Sequence, residues 1–235
     1  RGDLGIECPM EELPIIQRRI VKKCLRVDRP VIVATHMLES MIGNPIPTRA
    51  EVTDVANAVF EQADAVMLSG ETTVGKYPVE CVRTLDTIAR RIERSGGAGF
   101  ATDALMADDR SKTIHSAVVL ANSLAHAKIV VFTRAGFMAR FTANLRPRTS
   151  LIYAFAPTVE VCRQLKQLWG VQGLLLALDS DPERTIEAAE GELVRRKLVE
   201  RGDRLVVVSD VLAGKERVAS IQLRTVGGRG EIADC

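Results

Sequence analysis

The chain has 235 residues and a formal net charge of +2, with 46% hydrophobic and 26% charged residues, the balance of an ordinary globular protein. So small a charge argues against nucleic acid or an anionic membrane surface as a partner, and no apolar run approaches the roughly 20 residues of a membrane span. The length leaves room for one large domain or two small ones. In chain order, Met10 to Arg26 sets Leu13, Ile16, Ile20, Val21 and Cys24 at helical spacing, with arginines and lysines on the other face. Pro30 to Ala34 is short, apolar and β-branched, which predicts a buried strand. Thr48-Arg49-Ala50-Glu51 is a capping-box pattern that opens a helix to about Gln62. Asp64 to Leu68 is the next strand, and Pro78 to about Arg94 is a helix with Val82, Leu85, Ile88 and Ile92 on one side. Ser95-Gly96-Gly97-Ala98-Gly99 then breaks the pattern, because glycines at this density cost too much backbone entropy to continue a helix.

A second α/β pattern begins at Ser111. It predicts a helix to about Leu124, a strand over Lys128–Phe132, another helix, and strands over Ser150–Ala154 and Val171–Ala177. Asp181-Pro182 is an N-cap and first-turn pair for a long helix to about Arg201. Arg204–Ser209 and Glu216–Val226 are the last strands. The final one alternates after a short loop, as an antiparallel edge strand beside a mostly parallel sheet does. The organisation read from these signals is a first α/β domain over 1–94, a linker over 95–110, a second α/β domain over 111–227 and a tail over 228–235.

Cys8, Cys24, Cys81, Cys162 and Cys235 stand singly, with no Cys-x-x-Cys spacing and no nearby histidine. They read as reduced thiols in a cytoplasmic protein rather than a disulfide framework or a zinc site. The chain opens on Arg1, with no methionine and no signal-peptide profile. That opening reads as a cut, so a longer parent protein is expected.

Three polar segments sit where strands should end: Arg1-Gly2-Asp3-Leu4-Gly5, Ala34-Thr35-His36-Met37-Leu38-Glu39-Ser40-Met41, and Leu68-Ser69-Gly70-Glu71-Thr72. Strand C-terminal ends in parallel α/β folds share one face, and that face carries the chemistry. The three are therefore expected to converge on one rim. Taken alone, Arg1-Gly2-Asp3 reads as a tight turn with a solvated aspartate. Thr35 reads as a strand-end hydroxyl bonded locally to backbone, and Arg49 as a solvated first-turn residue. Ser69-Gly70-Glu71-Thr72 lacks the lysine and glycine spacing of a P-loop and reads as supporting shell.

Together with Pro47-Thr48-Arg49-Ala50-Glu51 and Asp54-Val55-Ala56-Asn57-Ala58-Val59, these segments closely resemble pyruvate kinase, in the family's order and spacing, from Arg1 to about Ile92. The resemblance implies the last β/α units of an incomplete TIM-type barrel, followed by a separate α/β regulatory domain. It implies phosphoryl transfer from phosphoenolpyruvate to ADP in the parent, with Mg2+ or Mn2+ and K+ as cofactors. Asp3 would be a ligand of the divalent metal, the amides of Gly2 and Asp3 would hold the substrate phosphate, and the Thr35 hydroxyl would donate to it. Arg49 would reach across a subunit interface of a homotetramer. His36 stands where the family commonly has glutamine; it reads as a rim residue without a catalytic role, and His115 and His126 likewise.

The transition-state lysine, a second metal carboxylate and the K+ site would lie upstream of Arg1. Turnover by this chain alone is therefore not expected. In the second domain, Thr133-Arg134-Ala135-Gly136-Phe137-Met138-Ala139 matches an effector loop at Thr133 and Gly136 but lacks its serines, which argues against fructose 1,6-bisphosphate. Arg134, Lys215 and Arg217 read either as a basic pocket for another phosphorylated metabolite or as solvated charges, and Trp169 as a packing residue. The competing reading is a non-catalytic effector-binding or interaction module on the same fold.

Overall fold

The computed structural model describes residues 1–213 and 216–228. The chain divides into two compact units, 1–105 and 106–235. In the first, a short helix α1 (Leu4–Glu7) and a 3-10 turn (Met10–Glu12) lead into α2 (Leu13–Arg26). Pro14 sits in the first turn of α2, where a missing N–H leaves no helical bond unmade. Strand β1 (Ile32–Ala34) follows, then a 3-10 turn (Glu39–Ile42) and α3 (Arg49–Phe60). The predicted capping box is present: Thr48 Oγ1 accepts from Glu51 N at 3.3 Å and Glu51 Oε2 accepts from Thr48 N at 2.7 Å. Strand β2 (Ala65–Met67), α4 (Gly70–Thr73) and α5 (Pro78–Glu93) complete the series. β1 and β2 pair in parallel, Ile32 opposite Ala65 and Ala34 opposite Met67.

The core of this unit gathers Val21 and Leu25 from α2, Val33 from β1, Met37 and Met41 from the following loop, and Cys81 from α5. Glu61, only 3% exposed, accepts from Gln17 Nε2 at 3.0 Å and Arg18 Nε at 3.2 Å, which pins α2 to the end of α3. The glycine segment does end α5, but the chain then folds back on the same unit. Ala98 N donates to Phe60 O at 2.7 Å, and Leu105 N to Arg26 O at 3.1 Å. Lys22 pairs with Asp103 at 3.0 Å and lies over the Phe100 ring. Large apolar side chains stay in solvent here, among them Ile6 at 85%, Ile46 at 73% and Val74 at 77% exposure.

The second unit is a five-stranded sheet in the order β5-β4-β3-β6-β7. Its elements are α6 (Asp109–Ser123), β3 (Ala127–Phe132), α7 (Phe137–Asn144), β4 (Ile152–Ala156), α8 (Val159–Leu165), β5 (Val171–Leu175), α9 (Pro182–Arg195), β6 (Arg204–Ala213) and β7 (Glu216–Thr225). All pairs are parallel except β6–β7, which is antiparallel. Asp108 caps α6 through Ser111 N at 2.7 Å, and Asp181 caps α9 through Glu183 N at 2.9 Å. On one face the sheet buries Tyr153, Phe155 and Val207 against Ile186 and Leu193. The rings of Phe155 and Phe132 lie 5.8 Å apart.

Three differences from the sequence expectation have physical causes. Helix α9 stops at Arg195, short of Arg201, because Lys197 turns left-handed at φ +57°. Leu198 N then reaches Leu193 O and Lys197 N reaches Val194 O, a Schellman closure without glycine. Strand β6 runs on to Ala213 because β7 pairs with it along its whole length. Helix α8 is too short for a periodic signal, yet Thr158 caps it and Gly173 admits it against β5. A Cβ on Gly173 would sit 2.9 Å from the Cys162 carbonyl oxygen.

Candidate functional site

The rim begins where β1 ends. Thr35 and His36 both take left-handed backbone conformations, φ +67° and +52°. A β-branched side chain there is a steric outlier, and such residues cost on the order of 1–3 kcal/mol each, so they persist only where neighbours over-determine them. The neighbours are identifiable. Arg1 Nε donates to Thr35 O at 3.0 Å, and Arg1 Nη2 donates to His36 O. The same guanidinium pairs with Asp54 on α3 at 3.3 Å. Gly2 N donates to Thr35 Oγ1 at 2.8 Å, and that hydroxyl donates in turn to Ala34 O at 2.7 Å.

On the other side of the turn the holding groups are carboxylates. Glu71, 2% exposed, accepts from Leu38 N at 3.0 Å through Oε1 and from Ser69 N at 2.7 Å through Oε2. Burial pushes the Glu71 carboxyl up, but the amides of Leu38, Glu71 and Ser69 outweigh it and hold the group below the usual carboxylate range. Glu51, beyond its capping role, accepts from Ser40 N and Ser40 Oγ, both at 2.6 Å. Burial raises its carboxyl too, and the Ser40 and Thr48 bonds bring it net below the usual value. Hydrogen bonds thus link the Arg1-Gly2 segment to the Thr35–Leu38 turn, and Glu71 links that turn to Ser69.

Of the residues nominated by sequence, Gly2 and Thr35 are in direct contact. Asp3 is exposed beside them and caps α1 through its backbone carbonyl, which accepts from Ile6 N at 3.0 Å. Arg49 is exposed in the first turn of α3 and makes no ion pair with any described residue. His36 is exposed, with Glu39 3.6 Å away. Arg1, which the resemblance makes an orienting residue, and Glu71, read as supporting shell, both hold the turn, while sequence reasoning missed Asp54 and the amides that Glu71 binds. The one available signal was a glutamate directly after a strand-end Ser-Gly, where free amides congregate. Asp3 offers one hard oxygen ligand of the kind Mg2+ or Mn2+ takes. Among the described residues no group of three or more His, Cys, Asp or Glu could hold an ion, so they do not by themselves build a metal site.

In the second unit a cavity of about 490 Å3 opens at the C-terminal end of β3, beside Ser209 of β6. Chain order reverses there, since β3 leads to β4 on one side while β6 lies on the other. Such crevices are where open α/β sheets bind ligands. Thr133, 4% exposed, accepts from Gly136 N at 2.9 Å, and Gly136 takes φ +88° to start α7. Thr133 and Arg134 line the cavity, the latter exposed, while Asp179 and Ser180 form the wall near the start of α9. The Asp181 amide holds the Asp179 carboxyl below its usual range. Trp169 packs on the buried Arg146 guanidinium at 5.5 Å and does not line the cavity. Lys215 lies outside the described residues, as do the side chain of Arg217 and residues 229–235 with Cys235.

Comparison with known proteins bears on both units. Residues 1–82 match the family model "Pyruvate kinase, barrel domain", and residues 111–221 match "Pyruvate kinase, alpha/beta domain". The chain is 40% identical over 232 residues to the chloroplastic pyruvate kinase isozyme G of Ricinus communis, covering 96% of this chain and 55% of that protein. It is also 40% identical over 221 residues to a pyruvate kinase of Methylorubrum extorquens, covering 91% of this chain and 45% of the relative. A crystal structure of a pyruvate kinase from Cryptosporidium parvum superposes with a TM-score of 0.85 at 32% identity, over 96% of this chain and 46% of the other. The chain thus spans about half the length of these relatives. With both of its units matched by models of one family, the chain belongs to the pyruvate kinase family.

Proposed function

We propose that this chain supplies the last β/α units of the catalytic barrel, together with the regulatory domain, of an enzyme transferring the phosphoryl group of phosphoenolpyruvate to ADP, giving pyruvate and ATP. The observation that carries the reading is the Gly2 N to Thr35 Oγ1 contact at 2.8 Å, on a turn whose strain is met by Arg1 and Glu71. In this reading Thr35 rotates its hydroxyl hydrogen from Ala34 O to a phosphate oxygen, the Asp3 amide adds a donor beside it, and the Gly2 amide donates there once it leaves Thr35 Oγ1. Phosphoryl transfer is mostly positioning and charge neutralisation, so aligned donors are what such a site must provide. Asp3 would be one ligand of Mg2+ or Mn2+, with the rest of that set and K+ held by other parts of the protein.

The exposed Ile6, Ile46 and Val74 suit a surface meant to be covered by the remaining barrel. Arg49, exposed and without an ion pair to any described residue, suits a contact across a homotetramer interface. A cytoplasmic setting belongs to the same reading. Its support is that no described helix is long and apolar enough to cross a membrane, and that Cys8, Cys24, Cys81 and Cys162 are free thiols.

A coupled assay with phosphoenolpyruvate and ADP should show no turnover by the 235-residue chain. Fusing the preceding barrel segment of the Methylorubrum extorquens relative ahead of Arg1 should create turnover. In that fusion Thr35→Ala should lower kcat/KM on the order of 100-fold, the usual cost of one oriented donor. A folded fusion without activity, or one indifferent to Thr35→Ala, defeats the reading. The cavity of the second unit is assigned to a phosphorylated metabolite. A thermal-shift screen should find a stabilising phosphorylated compound whose effect Arg134→Ala abolishes; a screen in which Arg134→Ala responds as the parent chain does removes Arg134 from the site.

A further inference from the structure

We infer that Glu71 is the positioning residue for Thr35: by anchoring the Leu38 amide from behind, it fixes the left-handed turn that carries the Thr35 hydroxyl. The inference rests on the reading of Thr35 as a phosphate donor, but the clamp itself stands on geometry alone. Only His36 and Met37 separate Thr35 from Leu38, and Met37 and Leu38 are fully buried. Arg1 holds the carbonyls of Thr35 and His36, and Glu71 holds the amide of Leu38. The turn is therefore fixed from both ends, by a cation on its carbonyls and an anion on its amide.

Packing alone does not explain a glutamate here. Its carboxylate is almost completely buried and no cation among the described residues pairs with it, and a leucine or methionine would fill the space without desolvating a charge. What a carboxylate adds is two acceptors facing two amides from different loops, Leu38 after β1 and Ser69 after β2. The groups facing it are few. Glu51 on α3 is the nearby carboxylate, the thiol of Cys81 on α5 lies 3.7 Å from the Glu71 carbonyl oxygen, and the Leu38, Ser69 and Glu71 amides complete the surround. Glutamine has nearly the same shape but a single acceptor, and its NH2 would face an amide N–H. Substitution by glutamine therefore breaks one of the two bonds and leaves a buried donor unmet.

The test is residue-resolved amide exchange and chemical shift by NMR on the full 235-residue chain, as a function of pH. In the parent chain the Leu38 and Ser69 amides should be protected. Their protection should be steady through the ordinary carboxylate range and fall only under more acid conditions. Glu71→Gln should speed exchange of at least one of these amides tenfold or more, remove the acid transition from both, and move the Thr35 and His36 Cα shifts. Glu71→Asp keeps the charge on a shorter arm and should retain the acid transition with partial protection, which also covers failure of Glu71→Gln to fold. The Ser40 amide, held by Glu51, is the internal control and should be unchanged. Unaltered Leu38 and Ser69 exchange, or unmoved Thr35 and His36 shifts, would overturn the assignment. No substrate enters the measurement, so an intact clamp with an inactive fusion counts against the phosphotransfer reading alone.

Discussion

Replacing Gly75 by alanine should unfold the rim of the first unit. A Cβ at Gly75 would lie 2.3 Å from the backbone oxygen of Glu71 and 3.0 Å from its carbonyl carbon. No side-chain rotation relieves a clash with main chain, so the end of α4 must unwind. Gly75 N also donates to Gly70 O at 2.9 Å, and that closure of the turn would be lost with it. Overpacking of this kind costs at the upper end of about 1–3 kcal/mol before any broken bond is counted. Because Glu71 moves with its backbone, the damage extends to Leu38, Ser69 and the Thr35 turn. Amide exchange by mass spectrometry should show protection collapsing over residues 30–75. Unchanged exchange there would mean that α4 is far softer than its contacts indicate.

The second large effect belongs to Phe155→Ala in the second unit. Phe155 is 0% exposed in β4, pairs across the sheet with Phe132 and Leu174, and packs among Ile186, Leu193 and Val207. Removing a fully buried aromatic ring loses its transfer free energy and leaves a cavity that a parallel sheet under helices cannot close. The expected loss is about 3–5 kcal/mol. Trp169, the one tryptophan of the chain, lies in this unit and gives the signal for urea denaturation. A midpoint shift equivalent to less than about 1 kcal/mol would show that the site collapses around the deletion.

Much of this architecture was legible because its signals are local. The Thr48–Glu51 box, the Asp181 cap, the glycine break after α5 and the alternation of β7 each announce one element from within a few residues. The opposite sheet edge at β5 and the extent of β6 were not, because pairing depends on a distant partner. Nothing in residues 210–213 calls for strand until β7 lies beside them. The early end of α9 was hidden for a related reason: Lys197 takes the left-handed position that a reader assigns to glycine. At the rim, Gly2 and Thr35 were nominated from a pattern, and the Gly2 N to Thr35 Oγ1 bond joins them. Glu71 was legible as supporting shell, but its partners were not, because its bonds go to backbone amides, which every sequence has everywhere.

The sheet order also constrains how the second unit comes into being during synthesis. Strand β3, the first strand of its sheet to be made, gains β4 on one flank soon after it leaves the ribosome. Its other flank waits for β6, whose first residue, Arg204, comes more than seventy positions later. Through that interval the nascent chain carries an open strand rich in Ile, Val and Phe, the kind of edge that recruits other chains. A message broken before the codon for Arg204 would therefore yield an aggregating product rather than a shorter working domain.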